Sequence, residues 1–252
     1  MQLGLVTYMW GAEWDLPTLL KNCEETGFEG VELRSGHKHG VEPSLDAAAR
    51  KEVAKRFVDS PVDLVGLGSA CEFHSPDPAV LKKNLDEAKS FIQLCHDLGG
   101  TGVKVRPNGL PKEVPVEKTL AQIGAAMQEL AQYGEGYGVA IRLEVHGKGT
   151  SSLPHIKTIM DAAPHPGATV CWNCNGEDLA GAGLDANFRL VQNRLGTIHI
   201  HDLVSDYPWT RLFELLHEAK FDGWTLLEEG NKTADPLRVM KYYRKVWEQL
   251  AK

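Results

Sequence analysis

The feature that most constrains this chain is an alternation, repeated from end to end: a short β-rich run, a loop, then an amphipathic stretch of helical spacing. The β-rich runs are LGLVTY (3–8), GVELR (30–34), DLVGLGSA (63–70), TGVKVRP (101–107), VAIRLEVHG (139–147), ATVCWNCN (168–175), TIHIHDL (197–203) and GWTLLEEG (223–230). In the first helical stretch Asp15 is placed to cap, Pro17 suits the first turn and Gly27 the stop, while Leu16, Leu19, Leu20 and Cys23 share a face. Leu81, Leu85, Ala88, Ile92 and Cys95 make the same stripe within residues 78–100, and residues 236–250 form a closing helix. Eight such cycles in 252 residues match the count and size of a (β/α)8 TIM barrel, an α/β fold spanning 1–252 as a single domain. A doubly wound sheet is the competing fold. It would show a glycine-rich phosphate loop after its first strand, and TYMWGAEWD (7–15) is no such loop.

Alternate residues of a strand point to opposite faces. In residues 139–147, Ile141, Leu143 and Val145 oppose Arg142, Glu144 and His146; in 197–203, Ile198 and Ile200 oppose His199 and His201. Val103 and Val105 oppose Lys104 and Arg106, Val31 and Leu33 oppose Glu32 and Arg34, and Leu226 and Glu228 oppose Thr225 and Leu227. A half-exposed antiparallel strand has the same pattern, but each of these strands is followed by a helix that would cover its apolar face. The polar face then looks into the barrel. Its ionic residues gather toward the C-terminal strand ends, where barrel active sites form.

Composition narrows the partners. A net charge of −7, from 27 basic and 34 acidic residues, disfavours a nucleic-acid partner. No run of about 18 apolar residues exists to span a membrane, and the first residues lack a signal-peptide pattern, so a cytoplasmic location is the default expectation. Five cysteines, mostly within apolar stretches, read as reduced and buried thiols. The one C-x-x-C, Cys171 and Cys174, lies on a strand that sends the two thiols to opposite faces. It suits packing better than zinc chelation or a disulfide.

The inward set combines carboxylates (Glu144, Glu228), a histidine pair (His199, His201) and amides (Asn173, Asn175) from four strands. Carboxylate, imidazole and amide oxygen together suit one divalent metal ion such as Mn²⁺, Mg²⁺, Co²⁺ or Zn²⁺, with coordination positions left open for substrate. On an H-x-H strand one imidazole can reach a metal while the other supports a ligand or the substrate.

Glu144 in RLEVHG, the CWNCN strand, HIHDL, Glu228 in WTLLEEG and the earlier GFEGVELR resemble the xylose isomerase-like sugar (phosphate) isomerase/epimerase barrels over nearly the whole chain. The resemblance implies one divalent metal at the barrel mouth, held by Glu144, Asn173, His201 and Glu228. It implies isomerisation or epimerisation of a small keto sugar or sugar derivative by proton transfer through a metal-stabilised enediolate, with Glu144 and Glu228 as the proton-transferring pair. A carbohydrate substrate and a homodimer or homotetramer are further expectations of the resemblance. Asn173 departs from it, because an aspartate is usual there. An amide removes one negative charge, and Asn175 on the same face is an alternative ligand.

Lys104, Arg106 and Arg142 are available to bind substrate or stabilise developing oxyanions, and His146 and His199 to orient substrate or support a ligand. His37 and His39 after the second strand, and Glu72 with His74 after the third, read either as a polar wall of the site or as solvated loop. Trp10 and Trp14 could stack on a sugar face or plug the rim. A lyase reading uses the same site, with a β-substituent leaving instead of the proton returning. An apurinic-site endonuclease would need more metal ligands and a basic face. A non-catalytic barrel draws its support from Asn173.

Overall fold

Helices form where the sequence supplies caps and an apolar stripe. Asp15 Oδ1 accepts from the Thr18 amide at 2.9 Å and Gly27 takes a left-handed φ of 77°, which bounds α1 (Leu16–Thr26). Asp46, Asp77 and Asp235 cap α2 (Ala47–Val58), α3 (Pro78–Asp97) and α8 (Pro236–Leu250) through the same kind of contact. α4 (Val116–Glu135), α5 (Leu153–Asp161), α6 (Leu184–Val191) and α7 (Trp209–Glu218) have no side-chain cap and rest on their buried apolar faces.

A computed structural model describes all 252 residues. Between the helices run β1 (Gln2–Val6), β2 (Gly30–Arg34), β3 (Asp63–Glu72), β4 (Gly102–Arg106), β5 (Ala140–Glu144), β6 (Ala168–Asn173), β7 (Leu195–Ile200) and β8 (Trp224–Leu227). Each strand pairs in parallel with its neighbours, and β1 pairs with β8 through Gln2–Trp224 to Leu5–Leu227, so the sheet closes into the TIM barrel that the alternation predicts. Several strands end earlier than their sequence runs: 139–147 pairs only to Glu144 and 223–230 only to Leu227. The remaining residues turn into loops at the mouth. No helix is long and apolar enough to cross a membrane.

The apolar faces pack outward under the helices in one cluster of 59 buried residues, where Trp172 of β6 meets Phe188 of α6 edge-on at 5.6 Å. Inside the barrel only a small apolar group, Val6, Val65 and Leu226, packs together. All five cysteines are free and buried. Cys171 of β6 lies inside the barrel near His199, and Cys174, the residue after the strand, lies in the outer core.

The lower part of the interior is filled by Arg142, and this overturns its expected place at the mouth. Its guanidinium donates to the Val65 carbonyl at 3.0 Å and to Thr101 Oγ1 at 2.9 Å, next to the start of β4. Gly66 and Gly102 make room for it: a Cβ on either would stand 2.7 Å from Arg142 Nη1 or 2.3 Å from its Cζ. Strand alternation fixes the face of a residue. It does not fix which way along the barrel axis a long side chain runs.

His39 also leaves the site. Its Nε2–H donates to the Arg34 carbonyl at 2.9 Å and its Nδ1 accepts from the Val41 amide at 3.0 Å, so the ring clips the loop between β2 and α2. Burial pushes this imidazole from 6.5 down to about 4. Folding therefore disfavours the protonated ring, and stability present above pH 6.5 is lost as pH falls toward 4, by up to about 3 kcal/mol. Urea unfolding should show wild type losing more stability between pH 7.5 and 4.5 than His39→Gln, by about 2 kcal/mol. Equal losses in the two proteins would refute this role for His39.

Candidate active site

Four strand ends meet at the mouth: β5 ends on Glu144 and β6 on Asn173, while His201 and Glu228 directly follow β7 and β8. With Tyr8, Arg34, Arg106, His146 and Asn175 they line a cavity of about 290 Å³. A wider groove of about 420 Å³ at the opposite end of the barrel is lined mainly by apolar side chains such as Phe57, Val58, Val62 and Leu64 and brings no comparable set of ligands together.

A chain of contacts links the four groups. Lys104 Nζ donates to Glu144 Oε2 at 2.8 Å, and Asn173 Nδ2 donates to Glu144 Oε1 at 3.1 Å. Asn173 Oδ1 faces His201 Nε2 at 2.8 Å, and His201 Nδ1–H donates to the Glu228 carbonyl at 2.7 Å. Arg34 Nη1 stands 3.4 Å from Glu228 Oε1.

That geometry tests whether a cation fits. The Glu228 carbonyl only accepts, so in the neutral ring it fixes the proton of His201 on Nδ1 and leaves a lone pair on Nε2. Turned one way, Asn173 sets its amide oxygen against that lone pair; turned the other, it sets the oxygen against the Glu144 carboxylate. With His201 neutral, either way two acceptors face each other. A divalent cation at the junction removes the conflict, and Glu144, Asn173, His201 and Glu228 could hold it.

His199 is the other imidazole near these carboxylates. Atoms of Glu144, His199 and Glu228 that could ligate a metal lie within 4.8 Å of one another. Yet His199 is 0% exposed, with Nδ1 at 3.6 and 3.5 Å from Glu144 and Glu228 and Nε2 at 3.3 Å from Glu32. It lies beneath the carboxylates and outside the cavity wall, so His201 is the ring that faces the cavity. Burial opposes charge on His199, but Cys171, Glu32 and Glu144 around it outweigh burial and raise it well above the ordinary histidine value. Burial likewise works against charge on Glu144 and Glu228. Lys104 and His199 overcome it for Glu144, holding it well below the usual range, and His199 does so for Glu228. Both carboxylates are therefore ionised and able to bind a cation or accept a proton.

On the other side of the mouth Glu72 Oε1 accepts from Arg106 Nη2 at 2.7 Å and from Asn108 Nδ2 at 2.5 Å, and Asn108 Oδ1 meets His146 Nδ1 at 2.8 Å. Arg106 and His146 reach the cavity; Glu72 braces them. Lys104 is buried and bonded to Glu144, beneath the cavity and not in its lining. His37 leans on Thr7 Oγ1 at 3.2 Å, outside the lining. Trp10 is buried, and its indole N–H donates to the Asn231 carbonyl at 2.9 Å, so it plugs the rim. Asn175 lines the cavity, but its Oδ1 accepts from the Glu177 amide at 2.9 Å and its Nδ2 bonds the Asn173 carbonyl at 2.7 Å. It is not free to replace Asn173 as a ligand.

Sequence reasoning did not single out Tyr8 and Arg34 as site residues, although both line the cavity. For Arg34 the signal was present, since alternation puts it on the face of Glu32 at a strand end. It also missed Asp178, which is buried in the turn after β6 and accepts from the Asn175 amide at 3.0 Å and the Tyr207 hydroxyl at 2.8 Å.

The chain is similar to L-ribulose 3-epimerase of Methylomonas sp. (strain DH-1), at 22% identity over 267 residues that cover 98% of this chain and 92% of the relative. Among solved structures, the IOLI protein with a bound zinc atom superposes with a TM-score of 0.83 at 15% identity, covering 100% of this chain and 98% of that one. An L-ribulose 3-epimerase structure superposes with a TM-score of 0.82 at 17% identity, covering 100% and 95%. At these identities the structural likenesses speak for the fold. The profile of one family matches residues 20–246, and the chain belongs to that family, the xylose isomerase-like TIM barrels.

Proposed function

We propose that the protein is a divalent-metal-dependent epimerase or isomerase of a small keto sugar, with Glu144 and Glu228 as its proton-transferring pair. The observation that carries this reading is the pair itself: two ionised carboxylates, three strands apart around one small mouth, joined by an amide and an imidazole whose lone pairs converge. The similarity to L-ribulose 3-epimerase supports the same class of chemistry.

Glu144, Asn173, His201 and Glu228 would hold the cation. Once bound, it would polarise a substrate carbonyl and the neighbouring hydroxyl and so acidify the C–H bond between them. One carboxylate takes the proton from that carbon, and its charge passes onto the substrate oxygens as an enediolate. The other carboxylate, after taking up a proton from solvent, delivers it to the opposite face of the carbon and inverts the centre, and the first carboxylate releases its proton to solvent so that both are ionised again. Lys104 engages Glu144 Oε2, and Asn173 Nδ2 meets Oε1 of the same group. His146, braced by Asn108, is placed to orient substrate hydroxyls. If a β-substituent left instead of the proton returning, the product would be shortened or unsaturated, so mass analysis of the product separates a lyase from an epimerase.

Glu144→Gln and Glu228→Gln should each lower kcat by about 10²–10⁴-fold while an amide oxygen remains available to the metal. Activity on keto sugars and metal content are measured side by side. Retention of activity in either variant with metal still bound removes that residue from the proton-transfer pair. Chelation should abolish turnover and added Mn²⁺ restore it; turnover untouched by exhaustive chelation excludes the metal-dependent reading.

Asn173→Asp adds a negative charge to the ligand set and should tighten Mn²⁺ binding by roughly tenfold, read by calorimetric titration. Unchanged affinity would mean that residue 173 does not face the ion.

A further inference from the structure

The mouth is electrically lopsided. Strands β5 to β8 contribute two carboxylates, Glu144 and Glu228, with Asn173 and His201 between them, whereas β2 and β4 end on Arg34 and Arg106. Both arginines line the same cavity of about 290 Å³, whose one apolar liner is Tyr8. Neither has its donors fully engaged. The Arg34 side chain makes a single long contact, 3.4 Å to Glu228 Oε1, and otherwise lies over the Tyr8 ring at 4.4 Å. Arg106 gives Nη2 to Glu72, but its Nε is buried without a partner. A guanidinium carries five donors in a planar fork, so Arg34 retains capacity for a bidentate anion, and Arg106 retains Nη1.

Charge balance points the same way. In and under the mouth, Glu32, Glu144 and Glu228 are matched by Arg34, Lys104 and Arg142, while Glu72 and Arg106 pair with each other. With His199 counted as neutral, the site is near neutral before a cation enters and a divalent ion would leave it two charges positive; a charged His199 adds to that excess. An aspartate at position 173 would halve that excess; the asparagine does not. A neutral sugar leaves the excess uncompensated in a partly buried site, where charge is screened weakly.

We propose that the substrate carries an oxyanion, a carboxylate or phosphate, held by Arg34 with Arg106 on the β2–β4 side while its keto-hydroxy end faces β5–β8. The proposal rests on the epimerase reading for the identity of the reacting end, and on the arginines for the anion.

Calorimetric titration of the metal-free protein with three probes tests it: 2-keto-D-gluconate, D-fructose 6-phosphate and D-fructose. One of the two anions should bind about 30-fold or more tightly than D-fructose, and which one it is separates carboxylate from phosphate. The preference should weaken as salt rises. Arg34→Met should reduce anion affinity to the level of D-fructose and Arg106→Gln should lower it less, with circular dichroism confirming that both variants fold. Equal affinity for all three probes, including no binding of any, overturns the proposal, as does an anion preference that survives both substitutions. Turnover with Mn²⁺ distinguishes the two readings. If D-fructose is epimerised as fast as either anion and Arg34→Met leaves that rate unchanged, the anion proposal falls and the epimerase stands. If the anions bind selectively but no probe is turned over, the anion site stands and the epimerase reading loses its support.

Discussion

The ion pair between Lys104 and Glu144 is the contact on which the rest of the interior depends. Nζ and Oε2 are 2.8 Å apart, and the two side chains are only 2% and 3% exposed. Branched apolar side chains dominate the usual TIM barrel interior. Here a column of charge runs upward from Arg142 through Glu32, Lys104 and His199 to Glu144 and Glu228. Each charge is buried at a cost that only its neighbours offset, and removing one member of such a pair commonly costs about 3–5 kcal/mol because the other is left uncompensated. The same arrangement keeps both mouth carboxylates ionised against burial.

An ionic interior is possible because stability is supplied elsewhere. The apolar faces of the strands turn outward into a single 59-residue cluster beneath the helices, so the inner face is free to carry chemistry. The backbone cooperates: Gly66 and Gly102 leave the space that the Arg142 guanidinium fills, and that guanidinium answers backbone and hydroxyl oxygens near the base of β3 and β4. At the other end, Trp10 ties the loop after β1 to the loop after β8 through the Asn231 carbonyl, closing the rim where the first and last strands meet. The scaffold is sealed at its seam, and its main apolar cluster lies outside the ring of polar groups.

The barrel was legible because it rests on two periodicities, and the inward carboxylates and histidines followed from the period of two along each strand. What that period cannot report is depth or competition. Arg142 and Glu144 share a face, yet one points down the barrel and the other up. His199 and His201 share a face, yet one is sealed below the carboxylates and the other opens on the cavity. In loops even the face is lost. His37 and His39 look alike in RSGHKHGVE, and only the folded backbone shows that His39 has both ring nitrogens bonded to main-chain groups. Arg34 was legible by the same alternation that revealed Glu32, but its role depends on Tyr8 and Glu228, contacts brought together by barrel closure.

The end of β6 shows how a turn decides which of two asparagines can act. Cys171, Asn173 and Asn175 alternate onto one face in sequence, but pairing stops at Asn173 and the chain enters a tight 3-10 turn at Gly176–Leu179. Asn175 caps that turn, and Asp178 closes the box by accepting the Asn175 amide and the Tyr207 hydroxyl. Burial pushes the Asp178 carboxyl up to about 7, and these donors are what make its charge tolerable there. With Asn175 engaged, Asn173 alone offers an amide between Glu144 and His201. It keeps the acceptor that an aspartate would supply and omits the charge. The contacts between Glu144, Asn173 and His201 therefore persist, while Lys104 and Arg34 face two carboxylates where an aspartate at position 173 would make three.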